Sequence, residues 1–400
     1  MGTIQIQEGI YSVGVLNPNM RVFDIIMRTD YGTSYNAYLV KGSEKTALIE
    51  TVHDRFFEEY IDNIAQVCDP KTIDYVVMNH NEPDHSGALH RLYEVNPNIT
   101  VVTSQAGTIY IKSIANKPDL KVQTVKDGDS IDLGGKTLSF VSAPFLHWPD
   151  SMFTYCPQDK LVFSCDFLGA HYCEPRMFDT FISYPNAYEE AFEGYYNAIM
   201  GPFPTYVQAG LQKLEALDAD TVCTSHGPIL TRGGRLEKNI EAYRKWSTPA
   251  ERTNKKIPIF YVSAYGSTTN VAEAIKEGIL SVVKDADITL YNIIEHDMAK
   301  LAHELNTSDA FLIGSPTINR DAVHPAWILA TSIDAINAKD KPCAVFGSFG
   351  WSGEAVPMLC DRLKSLKLKV FGEGYRVKFV PSAEELAAAK EFGAQFAQSL

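Results

Sequence analysis

The chain has 400 residues, 45% of them apolar, and 36 Lys and Arg against 49 Asp and Glu give a net charge of −13. That length suggests two or three domains, each able to bury a core, and the acidic balance excludes nucleic acid or an anionic membrane as the main partner. No apolar stretch approaches the ~20 residues of a membrane span, and the N-terminus lacks both a signal-peptide pattern and a Ser or Thr at position six for myristoylation, so a cytoplasmic location is expected.

Taken in chain order, residues 1–250 alternate short apolar runs with helical periodicity and show no solenoid repeat. Strands are predicted over Gly9–Val15, Ser34–Val40, Thr46–Glu50, Ile73–Met78, Ile99–Thr103, Leu138–Ala143, Met152–Cys156 and Leu161–Ser164. Helices are predicted over Phe56–Val67, Ala187–Met200, Thr205–Leu217 and Leu236–Trp246. The polar segment from Ser247 to Lys256 contains Pro249 and reads as a linker. Beyond it, β and α segments alternate regularly through Ile257–Ser263, Asn270–Val283, Ile288–Ile294, Ala310–Gly314, Ala326–Ile336, Cys343–Gly347, Ala355–Leu366, Val370–Val380 and a last helix to Leu400. That is the pattern of a doubly wound parallel sheet over 257–400.

The segment His80-Asn81-Glu82-Pro83-Asp84-His85 follows the strand-like run Ile73–Met78. Two imidazoles and two carboxylates crowded into six residues have few uses other than binding a cation. Pro83 restricts the residue before it and favours a tight loop that lets these side chains converge. Three more candidates follow strand-like runs: His147, Asp166 and His226. Each alone reads as an ordinary hydrogen-bonded or solvated residue. Together with the hexad they total four His, two Asp and one Glu, too many for one zinc and suited to two metals sharing a bridging group.

The His-x-Glu-x-Asp-His hexad, a His at 147, an Asp nineteen residues beyond it and a final His resemble the flavodiiron proteins, or A-type flavoproteins. The resemblance implies a metallo-β-lactamase-like αββα sandwich followed by a flavodoxin-like domain. Zinc hydrolases of that superfamily carry a second His where this chain has Glu82. The exchange brings the site near neutrality, since Glu82, Asp84 and Asp166 with a bridging hydroxide offset the charge of two ferrous ions. By resemblance, His80, Glu82 and His147 hold one iron, Asp84, His85 and His226 hold the other, and Asp166 bridges them.

In the second domain, turn-rich segments follow the first, third and fourth strands. They are Ser263-Ala264-Tyr265-Gly266-Ser267-Thr268-Thr269-Asn270, then Gly314-Ser315-Pro316-Thr317-Ile318-Asn319, then Gly347-Ser348-Phe349-Gly350-Trp351-Ser352-Gly353. In strand order 2-1-3-4-5 these loops flank the switch point where ligands bind. Small hydroxylated residues at a helix start suit a phosphate monoester, and no P-loop Lys or Gly-x-Gly-x-x-Gly is present for ATP or NAD. Tyr265 and Trp351 could offer faces to a flat ring, so FMN is the expected cofactor. By resemblance, 263–270 hold its phosphate while 316–319 and 348–353 flank the ribityl chain and ring.

Seven cysteines without a C-x-x-C pair read as free thiols in a reducing cytosol and argue against a fused rubredoxin or ferredoxin cluster. Electrons must then come from outside. The resemblance implies rubredoxin as donor, with a reduced deazaflavin used by some relatives, and a head-to-tail homodimer or a dimer of dimers. Glu50 is a candidate to orient a ligand imidazole. Trp148 and Tyr195 or Tyr196 are candidate pocket residues, as is His171, while His53 and His90 receive no role. The expected activity is reduction of dioxygen to water or of nitric oxide to nitrous oxide by FMN and a diiron centre. The alternatives are a zinc hydrolase with a flavodoxin-like appendage and a flavodoxin-type electron carrier whose first domain is a docking scaffold.

Overall fold

Strands buried on both faces read as unbroken apolar runs, and such runs build the centre of both halves of this chain. The computed structural model describes residues 2–25, 27–248 and 252–400. The chain divides into two compact units, Met1–Pro249 and Ala250–Leu400. The helix Leu236–Ser247 takes in the first residue of the expected linker, and linker residues 249–251 lie outside the described residues.

The first unit stacks two sheets. One orders Ile4–Gln7, Ile10–Ser12, Tyr38–Lys41, Thr46–Ile49, Tyr75–Met78, Thr100–Ser104 and Val122–Val125, antiparallel through Thr46–Ile49 and parallel beyond it. The other orders Ser130–Asp132, Thr137–Ser142, Met152–Cys156, Leu161–Cys165, Thr221–Thr224 and Leu230–Thr231. Successive side chains on a strand point to opposite faces, so Val77 faces the core between the sheets while Val76 and Met78 face the helix layer. On the second sheet Phe163 and Cys223 face inward, and Val162 and Val222 pack under the helices Pro185–Tyr195, Pro204–Ala216 and Leu236–Ser247. The result is an αββα sandwich.

The second unit is a parallel sheet in the order Leu290–Asn292, Ile259–Tyr261, Phe311–Ile318, Pro342–Phe349, followed by Lys369–Val370 and Tyr375–Lys378 on one edge. Helices cover both faces, which makes it flavodoxin-like with the order 2-1-3-4-5. Among the described residues no helix is long and apolar enough to cross a membrane.

Several expected elements differ. The helix predicted over Ala187–Met200 is α-helical only through Tyr195 and continues as a π-turn over Tyr196–Met200. The last strand is split, because Gly372 and Gly374 take positive φ and turn the chain between its two pieces. The helices Leu89–Val95, Gln105–Ile114 and Met298–Asn306 were not expected; the first has only 7 residues, where tertiary packing rather than periodicity decides.

The helices Ser267–Val282 and Ala383–Gln398 pack closely enough that a Cβ on Gly278 would lie 1.9 Å from the Lys390 carbonyl oxygen. Alanine there gains up to ~1 kcal/mol of helix propensity, but overlap with backbone cannot relax by a rotamer change. Gly278→Ala should therefore destabilise the second unit by about 1–3 kcal/mol, seen as a lower thermal midpoint in circular dichroism, with an unchanged midpoint as the contrary result.

Candidate metal centre and flavin loops

The hexad is held by two kinds of backbone. Tyr75–Met78 ends, His80 and Asn81 continue outward, and Glu82 stays extended with φ −58° and ψ 143° ahead of Pro83. Pro83 then opens a helical turn, Pro83–Ser86, with Ser86 and Gly87 N–H groups donating to the Glu82 and Pro83 carbonyls at 2.9 and 2.8 Å. The expected tight loop is thus corrected: Asp84 and His85 ride on a helical turn, because proline's fixed φ starts one. Asp166 and His226 leave neighbouring parallel strands, Leu161–Cys165 and Thr221–Thr224, at the same edge. His147 comes from the connection between Thr137–Ser142 and Met152–Cys156.

These seven side chains converge in two groups that could each hold a metal ion: His80, Glu82, His147 and Asp166, and Asp84, His85 and His226. Glu82 Oε2 lies 3.1 Å from His80 Nε2 and 2.9 Å from His147 Nε2, and Asp166 Oδ2 lies 3.6 Å from both nitrogens. In the other group Asp84 Oδ2 is 3.0 Å from His226 Nε2, while Asp166 Oδ1 is 3.1 Å from His85 Nε2 and 3.5 Å from His226 Nε2. One oxygen of Asp166 therefore faces each group. Asp84 Oδ1 and Oδ2, His85 Nε2 and Asp166 Oδ1 are buried without a hydrogen-bond partner. Lone pairs that crowd together without hydrogen-bond geometry are arranged as ligands around a cation, so the residues fit a pair of metal ions.

Charge supports that fit. Burial alone would lower the His85 imidazole, but Asp84 and Asp166 outweigh it and hold the group up at about 10. Burial, reinforced by Glu82 and Asp84, pushes the Asp24 carboxyl up to about 6. Asp24 lines a cavity of about 620 Å³ with Met20, Phe23, Tyr35, His53, Glu82 and Asp84, so the cavity opens onto both groups. Metal and proton compete for the same imidazole lone pairs.

Outer partners fix the ligands. His226 Nδ1 donates to the Ser34 carbonyl at 2.7 Å. His80 Nδ1 meets Asp150 Oδ1 at 3.3 Å, and Asp150 Oδ2 accepts from the Asn81 N–H at 2.7 Å. Asp150 is wholly buried and was missed from sequence; its only local signal is an acid three residues after His147. Glu50 accepts from the Asn79 N–H at 2.8 Å through Oε1, while its Oε2 and His85 Nδ1 both lack a partner. His171 is buried with its ring 4.9 Å from that of His226 and 4.9 Å from Tyr195, and its Nδ1 meets Thr33 Oγ1 at 2.9 Å. Trp148 stands edge-on to His80 at 5.0 Å. Tyr196 instead packs on Tyr243 and Trp246. His53 caps a turn by accepting from the Arg55 N–H while lining the cavity, and His90 bonds to the Gly87 carbonyl and pairs with Asp54.

In the second unit, Gly266 takes φ +86° and starts the helix Ser267–Val282, and Ser263 Oγ accepts from the Gly266 N–H at 3.1 Å and the Thr269 N–H at 3.4 Å. Thr268 Oγ1 and Ser348 Oγ lie 2.8 Å apart, tying the first loop to the third. Ser267, Thr268, Thr269 and Asn270 already form the first turn of the helix, so the loop proper is Ser263 to Gly266. Pro316, Thr317 and Ile318 are strand rather than loop, because the strand pairs on into the hairpin partner Asp321–Ala322, and the turn falls at Asn319 and Arg320 with φ +53° and +62°. Ser348 and Phe349 likewise end a strand, and Gly350, Trp351, Ser352 and Gly353 form the loop proper. Tyr265 and Trp351 are 97% and 98% exposed, which leaves two aromatic faces without protein cover at the carboxyl edge of the sheet.

A family model described as ODP family beta lactamase matches residues 33–227, and one described as Flavodoxin matches 259–393. The flavo-diiron protein FprA2 of Clostridium acetobutylicum is 57% identical over 401 residues, covering 100% of both chains. The chain belongs to the flavodiiron protein family. A nitric oxide reductase of Moorella thermoacetica is 35% identical over 400 residues, covering 98% of each. Among solved structures, rubredoxin oxygen:oxidoreductase of Desulfovibrio gigas superposes with TM-score 0.73 at 29% identity, covering 99% of this chain and 98% of the other.

Glu50 offers a pH test specific to this flavodiiron protein. Burial pushes its carboxyl up to about 8 against the pull of His85 and His80. Between the ordinary carboxyl range and about 8 the folded chain keeps a proton that the unfolded chain has released, so this group's stabilisation falls as pH rises through that window. Glu50→Gln stays neutral and can still accept from Asn79. In chelator-stripped protein the variant should gain thermal stability over the parent as pH climbs from 5 to 8.5, and a gap that stays flat would contradict the assignment.

Proposed function

We propose that this flavodiiron protein is an FMN- and diiron-dependent reductase that scavenges dioxygen, giving water, and nitric oxide, giving nitrous oxide. The observation that carries the reading is the two-faced Asp166, one oxygen toward each ligand group, with glutamate at 82 where a zinc hydrolase carries histidine. In this reading His80, Glu82 and His147 hold one iron, Asp84, His85 and His226 hold the other, and Asp166 bridges. Residues 1–250 form the diiron domain and 257–400 the FMN domain. The loop from Ser263 to Asn270 receives the phosphate, while 316–319 and 348–353 flank the ribityl chain and ring.

Two ferrous ions and a two-electron flavin together supply four electrons, enough to take dioxygen to water without releasing peroxide. The chain's residues do the rest. Three carboxylates neutralise most of the metal charge in a buried site, which keeps the cost of desolvation low. The outward nitrogens of His80 and His226, fixed by Asp150 and the Ser34 carbonyl, hold the inward lone pairs on the cluster. Phe23, Met20 and Tyr35 line the approach and limit the water around the reacting atoms.

Electrons come from an external donor. The name of the Desulfovibrio gigas protein supports rubredoxin, with a reduced deazaflavin as the other soluble source. A cytoplasmic location and a head-to-tail homodimer or dimer of dimers complete the reading.

Metal and flavin analysis of protein grown with iron in controlled zinc tests it: two irons and one FMN per chain are expected, and two zincs with hydrolysis that needs no reductant would overturn it. Asp166→Ala should cut reductant-dependent gas consumption by more than about 100-fold, beyond the loss an outer partner causes, while FMN content stays at the parent level.

A further inference from the structure

Among the described residues, His80 is the one imidazole of the four whose outward nitrogen meets a carboxylate. His226 meets a carbonyl, and His85 Nδ1 meets no partner. Asp150 is wholly buried and is itself fixed by the Asn81 N–H, the residue next to His80. We propose that Asp150 is a positioning residue that locks His80 in the Nδ1–H tautomer, so that the metal on the His80, Glu82 and His147 side is the more strongly held of the pair. This rests on the diiron reading and adds an inequality between the two metal positions.

The chemistry is that of a carboxylate–histidine–metal relay. An ionised carboxylate only accepts, so the nitrogen facing it must carry the proton. That leaves the lone pair on Nε2, the atom 3.1 Å from Glu82 Oε2 and 3.6 Å from Asp166 Oδ2. A carboxylate also pulls on the Nδ1 proton more strongly than a carbonyl does, which makes the ring the better donor to a metal. Glu82 and Asp84 bring one carboxylate to each side and Asp166 turns one oxygen to each, so the difference between the two sides is the Asp150 contact.

The tautomer makes an unusual ordering of variants. In Asp150→Asn the amide oxygen still accepts from the Asn81 N–H, and its NH2 group then faces His80 Nδ1. Two donors cannot face each other, so the ring shifts its proton to Nε2 and loses the lone pair the metal needs. Asp150→Ala removes more contacts but leaves the ring free to keep its proton on Nδ1. Asp150→Ser offers a hydroxyl that can accept from Nδ1 and serves where the alanine variant does not fold.

The experiment is ferrous-chelator competition on the full holoprotein, read as iron per FMN, with FMN content and circular dichroism reporting the fold. Asp150→Asn should release one of two irons at about 10- to 100-fold less chelator than the parent needs, and Asp150→Ala or Asp150→Ser should release it later than Asp150→Asn. Parent-like iron retention in Asp150→Asn, or earlier loss from Asp150→Ala and Asp150→Ser than from Asp150→Asn, would overturn the proposal and reduce Asp150 to a filler. A parent protein that binds no iron at all would instead overturn the diiron reading on which the proposal rests.

Discussion

Carboxylates gathered in a protein interior repel one another and lose their hydration, and Glu82, Asp84 and Asp166 are gathered there within reach of four imidazoles. An uncompensated buried charge costs several kcal/mol even after the surroundings relax, which is comparable to a domain's whole stability. Cations must therefore hold the cluster together, either as protons on His80 and His85 or as metal ions, and much else in the first unit follows from presenting ligands to them. The lifted imidazole of His85 and the lifted carboxyl of Asp24 are two responses to the same excess of negative charge.

Holding repelling groups in register needs a stiff scaffold, and strand ends supply it. Asp166 and His226 leave adjacent parallel strands, so their spacing is set by the ladder rather than by loop flexibility. The ladder also breaks where aim matters. The register shifts between Phe163 and Cys165, and Cys165 takes φ +53° just before Asp166. Glu50 at the end of its strand and Phe145 ahead of His147 are left-handed as well, with φ +63° at both. Such positions cost of order 1–3 kcal/mol each for residues other than glycine. Their placement beside the site is where strain purchased at the expense of stability re-aims a ligand.

The sequence made the buried strands readable because their apolar runs are unbroken, and it made the hexad readable because its six residues are contiguous. The three separated candidates, His147, Asp166 and His226, do join the hexad in space, and that convergence was suggested by residue type and position after strands. Asp150 was not readable: its meaning lies in a contact with a residue 70 positions away, and an isolated Asp after His147 looks like any loop residue. Asp24 was hidden for the same reason, since only the fold brings the 19–25 segment over Glu82 and Asp84. His171 was suspected from its nearness to Asp166 in the chain, but what fixes its ring is Thr33, on a strand of the opposite end of the unit's sequence. Turn boundaries in the flavin-binding half failed where strand pairing carried Pro316–Ile318 into a hairpin that the local Gly-Ser-Pro pattern does not announce.

The cavity over the cluster bears on selectivity. At about 620 Å³ it is many times the volume of a diatomic gas, which is close to the ~30 Å³ share of a water molecule. Neither dioxygen nor nitric oxide is excluded by its size, and the two differ little in shape. Discrimination must then come from what the walls offer to the bound molecule as charge develops on it. Met20 and Phe23 contribute apolar walls, while Tyr35, Asp24 and His53 add a hydroxyl, a carboxyl and an imidazole. A site that distinguishes ligands through developing charge depends on donors fixed in place before the reaction begins. The same rule governs the ligand imidazoles, whose outward nitrogens are tied down by a buried carboxylate at His80 and a carbonyl at His226. Metal retention in this protein thus rests on polar groups whose orientation is settled by partners one layer further out.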